Sequence, residues 1–325
     1  MYFCTLFDSK YIHCGIALYE SLLNQCDKFH IFIFALDDKC YTILKELNLE
    51  YATIVQQKEF EDEKLLAIKP TRSKGEYCWT CIPSIIKFVL DNYKVESCTY
   101  LDSDTYFWNS TKKLLDEMGN NSVLMTNHHY TPCYDQSKKS GTYNSQFTTF
   151  KNKADSMLVL EWWRDACIEW CYARHEDGKF GDQKYMDDWP QKFRGVHVLN
   201  HLGGGVGPWN VQQYKIFKKK EVLCGKVLNN AAEFQVIFYH YHHVRFYKNE
   251  VDLGGYRLSD EVKNLIYLPY IRHLEKIKSS LKVMNSDLKD HGKNKASVRD
   301  LKTYCKYIKH KAMSNVLKLD AIVKQ

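Results

Sequence analysis

Two carboxylates separated by one serine, Asp102 and Asp104, close the short apolar run Cys98-Thr99-Tyr100-Leu101, and the aromatic run Thr105-Tyr106-Phe107-Trp108 follows at once. In an extended chain alternate residues point the same way, so both acids are expected to project to one side. Carboxylates held that close repel each other unless a positive charge stands between them. A hard divalent cation, Mn²⁺ or Mg²⁺, takes oxygen ligands and shares its sphere with phosphates, which makes the pair a candidate metal grip. The plainer alternative is a solvated turn or a helix cap, both of which use Asp-x-Asp.

Three later stretches carry chemistry of a compatible kind. Asp182-Gln183 sets a carboxylate beside an amide, able to handle a proton or a developing cation and to hold a sugar hydroxyl; the same pair also makes an N-cap. The run Val236-Ile237-Phe238-Tyr239-His240-Tyr241-His242-His243 places His240 and His242 on one face at the end of an apolar strand, and imidazole is an acceptable Mn²⁺ ligand. His201-Leu202-Gly203-Gly204-Gly205-Val206-Gly207-Pro208-Trp209-Asn210 is glycine-rich, which suits either a close backbone approach to a phosphate or sugar or a structural turn.

The elements that must position these groups follow an α/β rhythm. Residues 2–7 and 30–36 read as buried strands of the continuous apolar kind found in parallel sheets, and 51–55 as a third. An apolar stripe at Ile12, Ile16, Leu18, Leu22 and Leu23 predicts a helix between the first two, and Asp37-Asp38 caps a second helix reaching Leu47. Further helices are expected over 73–93, interrupted or kinked at Pro83, around 114–118, and over 154–175. Strands are expected at 123–126, 142–151 and 233–240, with a polar loop or broken helix over 178–190.

At 325 residues, with 45% hydrophobic and 26% charged content, the chain has the composition of a soluble globular protein. Twelve scattered cysteines, including the lone Cys78-Trp79-Thr80-Cys81, lack disulfide or zinc spacing and read as thiols in a reducing compartment. No 18-residue apolar span and no basic leader before the first strand are found, so the expected location is cytoplasmic. The charge is uneven. Residues 272–325 carry 14 Lys and Arg against 5 Asp and Glu, a net of +9, whereas the whole chain carries +7, so the first 271 residues are net −2. A slightly acidic main body argues against nucleic-acid binding.

Taken together, Tyr100-Leu101-Asp102-Ser103-Asp104-Thr105-Tyr106-Phe107, Tyr143-Asn144, the stretch from Asp182 to Pro190, Pro208-Trp209-Asn210 and Phe238-Tyr239-His240-Tyr241-His242 resemble the GT-A nucleotide-sugar glycosyltransferases. The nearest likeness is to glycosyltransferase family 8 and to related bacterial surface-polysaccharide enzymes, over roughly residues 1–275. The resemblance implies a GT-A (Rossmann-like) α/β fold, with a mixed, mostly parallel sheet flanked by helices. It implies a catalytic domain over 1–258 and a basic helical C-terminal region over 259–325.

It also implies roles. Asp102 and Asp104 would hold Mn²⁺ or Mg²⁺, with His240 as third ligand and His242 and His201 as alternatives. Thr5 and Asp8 would meet the base and ribose, and Arg72, Tyr77, Asp102 and Ser103 would also serve the donor. Asn144 and Gln146 match an Asn-Ser-Gly segment near the donor sugar, with Gln146 in place of the glycine, and Gly207 stands where a diphosphate-binding lysine would. Asp182 and Gln183 would lie beside the anomeric carbon.

The expected activity is metal-dependent transfer of a sugar from a nucleoside-diphosphate donor, foremost a UDP-sugar, to a saccharide or lipid-linked acceptor in surface-polysaccharide synthesis. Two rivals are a sugar-nucleotide pyrophosphorylase and a non-catalytic carbohydrate-binding or scaffold protein. The first wants a glycine-rich, basic loop after the first strand, which Phe7-Asp8-Ser9-Lys10 is not; the second has no use for paired aspartates. The tail, with Arg299, Lys302, Lys306, Lys309 and Lys318 interleaved with Leu301, Tyr304, Tyr307, Ile308, Met313, Val316 and Leu317, reads as one helix that could lie on the inner face of an anionic membrane or pack on the domain.

Overall fold

The computed structural model describes residues 1–247, 249–285 and 301–323. Its strands are β1 (Tyr2–Phe7), β2 (His30–Ala35), β3 (Ala52–Gln56), β4 (Ser97–Leu101), β5 (Thr105–Phe107), β6 (Val123–Asn127), β7 (Tyr143–Lys151), β8 (Val196–Val198), β9 (Gly204–Val206), β10 (Tyr214–Lys219), β11 (Val222–Val227), β12 (Glu233–Gln235), β13 (Phe238–His240), β14 (Arg245–Tyr247), β15 (Glu250–Asp252) and β16 (Val316–Lys318). Seven of them form the central sheet in the order β3-β2-β1-β4-β7-β6-β8. Within it only β7 runs against its neighbours β4 and β6; the remaining pairings are parallel.

The period of two along the strands explains the layers. Phe3, Phe7, Ile31, Ile33 and Leu101 face one apolar cluster, and Cys4, Leu6, Phe32, Phe34 and Tyr100 face another on the opposite side. The helix Ile12–Gln25 packs into the first cluster and the helix Lys74–Asn92 into the second. Asp37 caps the helix Asp38–Leu47 by accepting from the Cys40 N–H, as its position predicts. Ser73 and Glu76 close a capping box at the start of Lys74–Asn92, and Pro83 lies inside that helix without ending it.

Three expectations change. The helix starting at Ala154 stops at Glu169, because Trp170 turns extended and the chain enters a loop that leads to Asp182. The single strand expected over 233–240 is two: β12 pairs with β11, and after Val236-Ile237 the chain changes sheets so that β13 pairs with β5 and β9. The tail is not one helix. A helix Leu301–Ala312 ends where Ser314 takes a left-handed φ of 56°, and β16 then adds to β15.

Asn315, fully buried, secures that return by donating its amide to the carbonyls of Gly254 and Tyr256 at 2.7 Å each. Tyr307 donates to Glu250 at 2.6 Å, and the His310 ring meets Asp252 at 2.9 Å. Arg299 lies outside the described residues. No described helix is long and apolar enough to cross a membrane.

Candidate metal and sugar site

Asp102 follows the last residue of β4 and Asp104 precedes β5, so the acids stand in a tight turn and not on one continuous strand. The Thr105 N–H and hydroxyl both donate to the Asp102 carbonyl, at 3.1 and 2.7 Å, and this turn, in place of strand alternation, gathers the two carboxylates. The register of the next sheet supplies the third group. β13 runs antiparallel to β5 with His240 opposite Thr105, and the Tyr241 N–H continues the ladder to the Asp104 carbonyl at 2.8 Å. A strand distant in sequence is thereby pinned with its histidine over the turn.

One donor atom each from Asp102, Asp104 and His240 lie within 4.8 Å of one another. His240 Nε2 is 3.1 Å from Asp104 Oδ1, and Nδ1 is 3.7 Å from Asp102 Oδ2. Donor atoms about 2.1–2.2 Å from one ion stand roughly 3–4 Å apart, so two carboxylates and an imidazole in this arrangement fit a divalent cation with little rotation. The donor set suits Mn²⁺ or Mg²⁺.

The surroundings tune each group. Burial pushes the Asp102 carboxyl up, and the neighbouring Asp104 adds to that, against the pull of His240 and of the Tyr100 hydroxyl, which donates to Oδ1 at 2.7 Å. Burial also opposes ionisation of Asp104, but His240 and His242 outweigh it and bring the group to about 2. For His240, burial disfavours the cation, yet Asp104 and Asp102 together hold its pKa above the ordinary value. Burial drives His242 well below its usual range. Its ring lies 6.0 Å from that of His240, edge-on, and it is not part of the three-group cluster.

His201 is elsewhere. Its Nδ1 accepts from the Gly203 N–H, and its backbone N–H donates to Glu117. Two glycines of the segment after it are required by packing: a Cβ on Gly203 would stand 1.8 Å from the Gln235 carbonyl oxygen, and one on Gly204 would overlap Leu199 and Leu114.

Asp182 is 4% exposed, and one of its oxygens, Oδ2, has no hydrogen-bond partner among the described residues. Burial, with Asp102 nearby, raises its pKa to about 7. Gln183 is held through its Nε2, which donates to the Ser140 carbonyl at 2.8 Å. Thr5 Oγ1, at the middle of β1, is likewise buried without a partner, and Asp8 follows the strand half-buried, its carboxylate accepting from the Lys10 N–H. Ser103 sits half-buried between the two acids.

Arg72 and Tyr77 have partners away from the turn. Arg72 donates to the Tyr172 hydroxyl and the Ile168 carbonyl, and Tyr77 donates to Glu61 at 2.5 Å. Asn144 Oδ1 accepts from the Gln146 N–H at 3.0 Å, while the Gln146 side chain reaches His240. Sequence reasoning left Tyr100 without a role, although its position two residues before Asp102 put it on the same side of the chain. It also missed Trp209 as a neighbour, whose ring stands edge-on to His240 at 5.3 Å.

A cavity of about 680 Å³ opens beyond the loop that follows β6. Asn127, His129, Tyr130, Asp135, Tyr214 and Asn229 are among the residues that line it, and no lysine or arginine among the described residues does. Its rim is fastened to the Asp182 segment: the Thr142 N–H donates to Asp187 at 2.7 Å, close to the Gln183–Ser140 bond.

The chain matches no family model. It is 30% identical over 282 residues to the uncharacterized protein YfnD of Bacillus subtilis (strain 168), covering 85% of this chain and 89% of that one. It is also 30% identical over 287 residues to the uncharacterized protein YfnF of the same organism, covering 84% and 89%. Among solved structures it is similar to the galactosyltransferase LgtC in complex with donor and acceptor sugar analogs, with a TM-score of 0.52, 11% identity, and coverage of 85% of this chain and 96% of that one. That likeness shows the fold, which is the GT-A arrangement of a mostly parallel sheet flanked by helices.

Proposed function

The chain belongs to one family with YfnD and YfnF of Bacillus subtilis, and from that premise and its GT-A fold we propose that it is a metal-dependent glycosyltransferase. It moves a sugar from a nucleoside diphosphate, foremost a UDP-sugar, to a saccharide or lipid-linked acceptor in surface-polysaccharide synthesis. The observation that carries this reading is the convergence of Asp102, Asp104 and His240 beside the buried Asp182.

A divalent cation bound there supplies charge neutralisation for the departing diphosphate, an effect worth several kcal/mol. Asp102, Asp104 and His240 would hold it, and the imidazole in the set favours Mn²⁺ over Mg²⁺. Asp182, whose Oδ2 has no hydrogen-bond partner among the described residues, stabilises positive charge developing at the anomeric carbon, and the chain must deliver it ionised for that. Gln183 and Asn144 flank the donor sugar, and Thr5 and Asp8 meet the nucleoside.

The 680 Å³ cavity serves the acceptor. With amides, aromatic rings and the Asp135 carboxylate on its walls, and no lysine or arginine there among the described residues, it is poorly suited to a diphosphate and well suited to neutral hydroxyls. The exposed Tyr304 and Ile308, one turn apart on the helix that also bears Lys306, Lys309 and Lys311, support contact of that helix with an anionic membrane surface carrying the acceptor.

The direct test is a panel of nucleotide sugars incubated with the protein and Mn²⁺, reading donor hydrolysis and thermal stabilisation. Turnover of one donor that stops with chelator supports the reading. Failure of every nucleoside diphosphate to bind removes it. Sedimentation with phosphatidylglycerol vesicles, wild type against a Lys306→Glu, Lys309→Glu variant, tests the membrane contact; equal sedimentation removes it.

A further inference from the structure

Gln146 is fully buried in β7, at the position where the resembling segment carries glycine, and none of the roles above uses its side chain. Its Oε1 lies 2.7 Å from His240 Nδ1, and its Nε2 lies 3.5 Å from Thr126 Oγ1. The orientation of an amide is settled by its partners. Thr126 Oγ1 donates its own proton to the Asn144 carbonyl at 3.0 Å, so towards Gln146 it is an acceptor and faces the NH₂ end. The amide oxygen is therefore the atom that faces the histidine. A carbonyl oxygen accepts, so Nδ1 must carry the hydrogen. The other oxygen near Nδ1, Asp102 Oδ2 at 3.7 Å, asks for the same proton.

The remaining ring nitrogen, Nε2, is the one 3.1 Å from Asp104 Oδ1. The backbone makes the relay rigid. The Asp102 N–H donates to the Gln146 carbonyl at 3.2 Å, tying β7 to the acid turn, and Gly205 leaves space for the amide where a Cβ would stand 3.1 Å from Gln146 Nε2.

We infer that Gln146 is a positioning residue that, through its bond to Nδ1, fixes His240 in the tautomer whose Nε2 lone pair is presented to a cation held by Asp102 and Asp104. The inference rests on the metal reading above. It adds that the chain Asn144–Thr126–Gln146–His240 sets the direction of the nitrogen ligand, a kind of support whose removal commonly weakens metal affinity by about 10- to 100-fold.

The test uses two readouts that do not depend on turnover. Long-range ¹H–¹⁵N spectra of the metal-free protein, at about pH 9 and with His240→Ala for assignment, should show His240 protonated at Nδ1. A bare Nδ1 overturns the inference without any variant having to fold. Calorimetric titration with Mn²⁺ alone should then show Gln146→Leu about 10- to 100-fold weaker than wild type, with Gln146→Glu, which keeps an oxygen at Nδ1, within about threefold or tighter. Gln146→Leu binding Mn²⁺ as well as wild type, even with a lower melting temperature, reduces Gln146 to a packing residue and overturns the inference. If wild type binds no Mn²⁺, the metal reading fails instead, and the spectrum still judges the tautomer.

Discussion

Two of the clusters of histidine and carboxylate among the described residues are built in opposite ways. In one, Glu117 accepts from the N–H groups of Asn200 and His201, from the Asn200 amide and from His197, at 2.6–3.0 Å. Burial works against that carboxylate, but the donors outweigh it and hold its pKa below the ordinary value. In the other, Asp102 and Asp104 crowd one imidazole, and Asp182 lies near enough to Asp102 to feel its charge. Asp182 is raised to about 7 there, and one of its oxygens has no partner among the described residues.

Glu117, saturated with N–H groups, needs no cation. The second set is short of positive charge. The residue types are alike in the two places, but one holds a single carboxylate and the other three; both oxygens of Glu117 have N–H partners, whereas Asp182 Oδ2 has none among the described residues, and that separates a brace from a binding site.

Four experiments probe the contrast. The largest effect is expected from Asp104→Ala, which should lower metal-dependent donor turnover by about a thousandfold or more; a variant within tenfold of wild type would place the grip elsewhere. Next, the metal-free protein should lose stability as pH rises from about 4 to about 7. The folded Asp182 binds its proton more tightly than the unfolded one, so the folded state holds the extra proton in that window and loses the advantage above it. The ceiling is about 4 kcal/mol, and Asp182→Asn should flatten the slope in denaturant titrations across that range.

His240→Ala should weaken Mn²⁺ binding by about 10- to 100-fold, while His201→Ala leaves it within about twofold; the reverse result in calorimetry would exchange the two clusters. The smallest effect is reserved for Glu117→Ala, which should cost about 1–3 kcal/mol in chemical unfolding through orphaned donors and leave Mn²⁺ affinity unchanged.

The same contrast shows what the amino-acid string could and could not disclose. The strands β1 to β4 were legible because continuous apolar runs bounded by capping residues need no knowledge of partners. Asp102 and Asp104 were legible as a pair, although the turn that joins them was not. His201 matched a motif by its letters, but its partner Glu117 is 84 residues away, and nothing local announces that contact. The switch between sheets at Val236-Ile237 was hidden for a related reason: both residues are fully buried, so the apolar run continues unbroken while its hydrogen-bond partners change. Gln146 looked like a departure from a donor-sugar motif, and only the register of β13 against β5 and β9 shows what its amide faces.

Gly203 gives this architecture a remote vulnerability. Its carbonyl receives the N–H groups of Ile237 and Phe238 at the point where the chain crosses from one sheet to the next, and there is no room beside it even for a methyl group. A Gly203→Ala change would lever the strand that ends in His240 while touching no ligand. In a screen scored by lost turnover it would pass for a defect of chemistry, when its origin is a hinge pin made too thick for its socket.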